Sequence, residues 1–166
     1  MIEGLKKHHT QTCGPVEVST YFSPQSSLAN FRDTNADPFQ YRIVFEIINA
    51  SGPAGQRVQF QPPTPLAFFF HISLQSSDGK FHDLTEGQID PHHTGKPTPR
   101  DVAFAAKDDV FYSQISYAAF ATIAPLDAMR EGLYRLSLAP FPIVSIDGKE
   151  CLYNTPPMDI KVIDGL

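Results

Sequence analysis

Six histidines and two cysteines are the side chains here whose types could hold a metal or a redox centre. His92-His93 follows Asp90-Pro91, His71 and His82 lie upstream, and His8-His9 sits near the start. A zinc site needs three or four ligands converging at about 2 Å. Adjacent side chains on an extended chain point in opposite directions, so a His-His pair rarely supplies two of them. The expectation is no metal and no cofactor, with the histidines in solvated polar segments. No His-Glu-x-x-His, Gly-x-Ser-x-Gly, phosphate-cradling glycine loop or Cys-x-x-Cys occurs, and no spacing singles out a Ser/His/Asp set. The expected class is therefore not an enzyme. Cys13 and Cys151 lie near opposite ends of the chain. In an oxidising compartment they would close one very long loop; otherwise they are two separate thiols.

The elements that must position any site read as strands. Fifteen prolines in 166 residues interrupt helices, and 42% hydrophobic content suffices for a core, so the apolar residues belong in short strands between turns. Val16–Phe22 alternates with Val16, Val18, Thr20 and Phe22 on one face. Tyr41–Ile48 sets Tyr41, Ile43, Phe45 and Ile47 against Arg42, Val44, Glu46 and Ile48. It ends at Asn49-Ala50-Ser51-Gly52-Pro53, which reads as a turn rather than a used glycosylation sequon. Further strands are expected at Arg57–Gln61, at Ala67–Leu74 with Phe68, Phe70, Ile72 and Leu74 in phase, and from Phe81 after the Asp78-Gly79 turn. Others follow at Val102–Phe104, Val110–Tyr117, Gly132–Leu138, Ile143–Ile146, Cys151–Tyr153 and Met158–Ile163. A short helical turn is expected around Pro125–Met129. Phe69 either joins an exposed patch or is covered, and the covered reading is preferred.

Gly132 stands two residues before Tyr134 at a strand start. This resembles the corner of Greek-key sandwiches, where the phenol bonds back to nearby backbone. The fold class expected is all-β, an antiparallel Greek-key, immunoglobulin-like β-sandwich. Residues 1–15 would be a loose arm and 16–166 a single domain. Its core would contain Ile43, Phe45, Ile47, Phe68, Phe70, Ile72, Leu136 and Leu138.

Net charge of −5 without a basic cluster argues against a nucleic-acid partner. No apolar run approaches the roughly 20 residues that span a bilayer. The first residues lack the apolar stretch of a signal peptide, so the expected compartment is the cytoplasm, with a processed secreted form as the alternative.

Tyr41–Asn49, Thr64-Pro65-Leu66, the strand into Asp78-Gly79-Lys80, Gly95–Asp101 and Glu131–Leu136 follow one another in an order that resembles a known family domain. It is the immunoglobulin-like β-sandwich that precedes the catalytic domain in some deuterolysin-type (M35) metallopeptidases. The likeness covers Tyr41–Leu138. The catalytic zinc motif of those peptidases is missing, so no catalytic residue carries over. The resemblance implies a non-catalytic module that binds a protein, a peptidase being one candidate partner. A small-ligand or carbohydrate-binding domain is the alternative, and an enzyme with a dispersed site a third reading. The binding residues expected are Ile89, His92, His93, Lys96 and Arg100, in the long polar connection Thr85–Arg100. Connections of that length are usually functional or disordered; the competing reading is a mobile surface crossover.

Overall fold

The structure, a computed structural model, describes residues 2–28, 42–64, 66–85, 98–122 and 130–163, without the side chains of residues 67, 68, 118, 121 and 122. Among the described residues, alternating apolar side chains and frequent turns give thirteen short strands in three sheets. The first sheet has the order β1-β2-β4-β9, from Lys6–Cys13, Val16–Phe22, Arg42–Asn49 and Val110–Ser116. The second has the order β3-β13-β10-β6-β7, from Gln25–Ser27, Met158–Ile163, Gly132–Leu138, Phe70–Gln75 and Phe81–Asp83. The third has the order β12-β11-β5-β8, from Lys149–Tyr153, Phe141–Ile146, Arg57–Phe60 and Arg100–Ala103. Neighbours are antiparallel except β3 and β13, which are parallel. The chain is thus an all-β sandwich, and one pair departs from the antiparallel expectation.

Three segments differ from the sequence reading, the first being Gln25–Ser27, expected within a polar loop Ser23–Pro38 but forming the short strand β3. Lys6–Cys13, expected within a loose arm, is an eight-residue edge strand paired to β2 from Lys6↔Phe22 to Cys13↔Val16. Its polar side chains hid it, because an edge strand buries little of either face. Leu66–Phe69 is a single helical turn (α1), and the strand begins only at Phe70. The alternation of Phe70, Ile72 and Leu74 matches the expected phase, but a period of two does not show at which residue the pairing begins. Phe69 is half-buried and packs on Phe141 with ring centroids 5.6 Å apart, the covered alternative. Tyr117–Thr122 forms a 3-10 turn, while Pro125–Met129 lies outside the described residues.

The three inward faces meet in one core that includes Ile43, Phe45, Ile47, Phe70, Ile72, Leu136 and Leu138, as expected; the Phe68 side chain is not among those described. Phe45 of the first sheet meets Phe141 and Tyr153 of the third edge to face, each at 6.2 Å, and Phe60 tilts on Phe111 at 5.3 Å. Buried tyrosines need partners for their hydroxyls. Tyr117 donates to the carbonyl of Ser23, and Tyr153 bonds Thr20. Tyr134 donates to the carbonyl of Arg130 at 2.5 Å and accepts from its N–H at 2.8 Å, which is the backbone return that Gly132 and Tyr134 suggested.

The gap between the first and third sheets is closed on one side by covalent chemistry. Cys13 of β1 and Cys151 of β12 are disulfide-bonded, closing 138 residues of chain. Gln11 donates to the carbonyl of Leu152 at 2.6 Å and accepts from the N–H of Asn154 at 3.0 Å. His8 lies 2.7 Å from the carbonyl oxygen of Pro156. Two edge strands that share no ladder are thereby stitched together.

Constraining so long a loop in the unfolded chain contributes up to about 5 kcal/mol, and typically 2–4. Replacing both cysteines by serine should lower the denaturant midpoint accordingly while leaving the strand spectrum unchanged; an unaltered midpoint would contradict the stitching role. A second expectation concerns alkali. Burial pushes the Tyr153 hydroxyl up to about 12, against the opposing pull of its bonds to Thr20 and Thr155, and burial raises Tyr117 as well. Unfolded tyrosines ionise near pH 10. The Tyr153 contribution is therefore complete below about pH 10 and is lost as pH climbs through about 12. Denaturation midpoints should fall over that interval, and Tyr153→Phe should reduce the fall; a flat alkaline profile would refute the linkage.

Candidate functional site

The clearest site that emerges from the fold is the side of the sandwich opposite the disulfide. It is built from β8 and β9. On β9, Val-Phe-Tyr-Ser-Gln-Ile-Ser runs from Val110 to Ser116 without a charge, a proline or a glycine. Its pairing with β4 is unbroken from Ile48↔Val110 to Arg42↔Ser116. Ladder phase decides which backbone groups face outward. The N–H of Asn49 bonds the carbonyl of Asp109, and the N–H of Ser23 bonds the carbonyl of Arg42. With the alternation of an antiparallel ladder, Phe111, Ser113 and Ile115 direct their backbone groups to β4. Val110, Tyr112 and Gln114 direct theirs away from it. In the sheet order, β9 is the terminal strand, with no described strand beyond it.

Asn49 fixes where this edge begins. Its fully buried side chain accepts from the N–H of Gly52 at 3.0 Å and donates toward the carbonyls of Gly52, Pro53 and Ala106. Asp108, at φ 69°, turns the chain so that its N–H bonds the carbonyl of Asn49 at 2.8 Å. One side chain thus ties the turn after β4 to the turn before β9. The formal sequon at Asn49 is occupied by structure, consistent with the turn reading.

Arg100 opens β8 opposite Phe60, on the inward-facing parity of the third sheet. Its guanidinium stands 5.1 Å from the centre of the Phe111 ring, a cation–π contact at the mouth between the sheets. Of the expected binding residues, Arg100 is therefore placed beside the β9 edge. Ile89, His92, His93 and Lys96 lie outside the described residues. The sequence pattern identified the strand at 110–117 but not its terminal position, since edge placement depends on pairing partners far away in the chain.

Other chemistry-bearing groups are spent locally. His71 Nδ1 is 3.2 Å from Asp83 Oδ2, and burial of that carboxyl is outweighed by hydrogen bonds from Thr85 and by His71, so Asp83 ionises below the usual carboxylate range. His82 Nε2 lies 3.1 Å from Ser76 Oγ, and the Ser76 hydroxyl donates a hydrogen bond to Asp78. Among the described residues no three His, Cys, Asp or Glu side chains converge as metal ligands. Two open clefts flank the Asp147-Gly148 turn. One, of about 550 Å³, includes Arg57, Gln59, Asp101 and Ser145; the other, of about 670 Å³, includes Thr12–Pro15 and Lys149–Cys151. Neither is lined by an aromatic ring.

Asn49→Ala should cost about 1–3 kcal/mol, because the Gly52 N–H it satisfies would be stranded. Asn49→Asp should also destabilise, since a carboxylate cannot donate to the three carbonyls. Thermal melts of the two variants check this, and wild-type stability in both would remove Asn49 from its anchoring role.

No family model, no curated protein and no solved structure matches this chain.

Proposed function

We propose that this chain is a non-catalytic protein-binding module that engages its partner through the β8–β9 side. The observation that carries the reading is the contrast between the two edges of the first sheet. Natural sheets blunt exposed edges with lysine, proline, bulges or a covering. β1 has Lys6 and Lys7, a register shift between Lys7 and His9, and the disulfide to β12. β9 has no lysine, proline or bulge over its seven residues, and no described strand lies beyond it. An edge kept regular and uncharged is suited to association. Arg100, expected from sequence to bind a partner, sits at the same place.

The carbohydrate alternative has less support. Sugar sites use open aromatic platforms, whereas the large hydrophobic residues most exposed among the described ones are Val110 and Leu152, both aliphatic. The backbone return of Tyr134 supports a Greek-key, immunoglobulin-like arrangement as the architecture of the module. A peptidase is the first partner class to test, on the strength of the sequence resemblance alone. The Cys13–Cys151 bridge favours an oxidising compartment over the cytoplasm, where thiol-reducing systems keep such pairs open.

A photo-crosslinking residue at Val110 should trap a discrete protein from extracts of the native source. The same residue at Leu152, which is more exposed but on the stitched side, should not. Equal trapping from both positions, or none from Val110, would refute the assignment of the β8–β9 side.

A further inference from the structure

We infer that β9 accepts an extended segment of a partner polypeptide as a fifth strand of the first sheet, and that this segment carries an acidic side chain for Arg100. The inference rests on the protein-binding reading and specifies its chemistry. Strand addition needs a row of outward N–H and C=O groups on a straight edge, and Val110, Tyr112 and Gln114 supply them over a ladder without a bulge. The added strand would alternate its side chains across the sheet. One set would lie beside Phe111, Ser113 and Ile115, on the core-facing side. There an apolar residue beside Ile115 would extend the core, which Ile115 already enters at 8% exposure.

Charge selects the residue next to Phe111. The Arg100 guanidinium stands over that ring, and the ion pairs among the described residues are His71–Asp83 and Arg135–Asp159, neither involving Arg100. A carboxylate delivered by the added strand would meet a cation already held against an aromatic face. An exposed edge offers no such cost to a lysine elsewhere, but beside Arg100 a lysine meets like charge. A second copy of this chain is the poorer occupant. β9 has no acidic residue, so pairing β9 with β9 would bring no carboxylate from that strand to Arg100.

The test uses capped seven-residue peptides of alternating Val and Thr, with Glu at one core-facing position or Lys in its place. Binding is followed by amide shifts of the whole chain. The Glu peptide should bind at least tenfold more tightly than the Lys peptide, with the largest shifts at Val110, Tyr112 and Gln114. Arg100→Glu should reverse the order of the two peptides. Gln114→Pro removes one outward N–H, together with the side-chain acceptor of Arg42, and should weaken both peptides at least tenfold. Arg100→Glu lies at an exposed position, so it keeps the test valid if the proline variant fails to fold. Equal affinity for the two peptides, an order unchanged by Arg100→Glu, or no peptide binding would overturn the inference. So would self-association of the chain at β9 that excludes the peptides. Trapping from Val110 without peptide binding would leave protein binding standing and remove strand addition; failure of both would remove both.

Discussion

The first sheet depends on β4 having its backbone committed on both sides at once. Its even-numbered residues direct their groups toward β2 and its odd-numbered residues toward β9, a phase set by the Ser23–Arg42 and Asn49–Asp109 bonds at its ends. A central strand of this kind can carry only one register. A slip of one residue would send Ile43, Phe45 and Ile47 away from the core. The same phase decides which groups of β9 are left facing outward. The geometry of the edge is thus a consequence of how the centre of the sheet is bonded.

β4 is buried on its other face too. Arg42, Val44 and Glu46 are all at or below 5% exposure. Glu46 sits between Tyr21 and Tyr112, accepts from the Tyr21 hydroxyl at 3.4 Å, and together with burial raises both phenols above the ordinary range. Arg42 donates to the side-chain oxygen of Gln114 at 3.0 Å. Buried polar groups are tolerated when their hydrogen-bonding capacity is met. These contacts join β2, β4 and β9 by side chains as well as by ladder, and they give β9 rigidity without closing its outer edge.

The two sides of the gap between the first and third sheets are closed by different physics. At β1 and β12 the closure is covalent and is reinforced by Gln11. At β8 and β9 it is an arginine laid over a phenylalanine that itself packs on Phe60. A cation–π contact at an exposed site contributes about 0.5–1 kcal/mol, a small fraction of what the bridge supplies. The side that is weakly closed is the side where β9 is the terminal described strand, which is why association is proposed there.

Alternation in the sequence determined that the chain is made of strands, and it placed Ile43, Phe45, Ile47, Phe70, Ile72, Leu136 and Leu138 in the core. Those properties are local: a period of two and β-branched or aromatic residues are enough to express them. The bond from Tyr134 back to Arg130 was legible for the same reason, since its partners are four residues apart. Only the tertiary structure decided that Lys6–Cys13 is a strand, that Cys13 meets Cys151, and that β9 ends its sheet beside Arg100. Each of these joins segments distant in the chain, and hydrophobic periodicity carries no information about which distant strand will be the neighbour. An edge strand with polar side chains has no period to read, and an outward row of backbone groups is the same in every sequence until its neighbours are known.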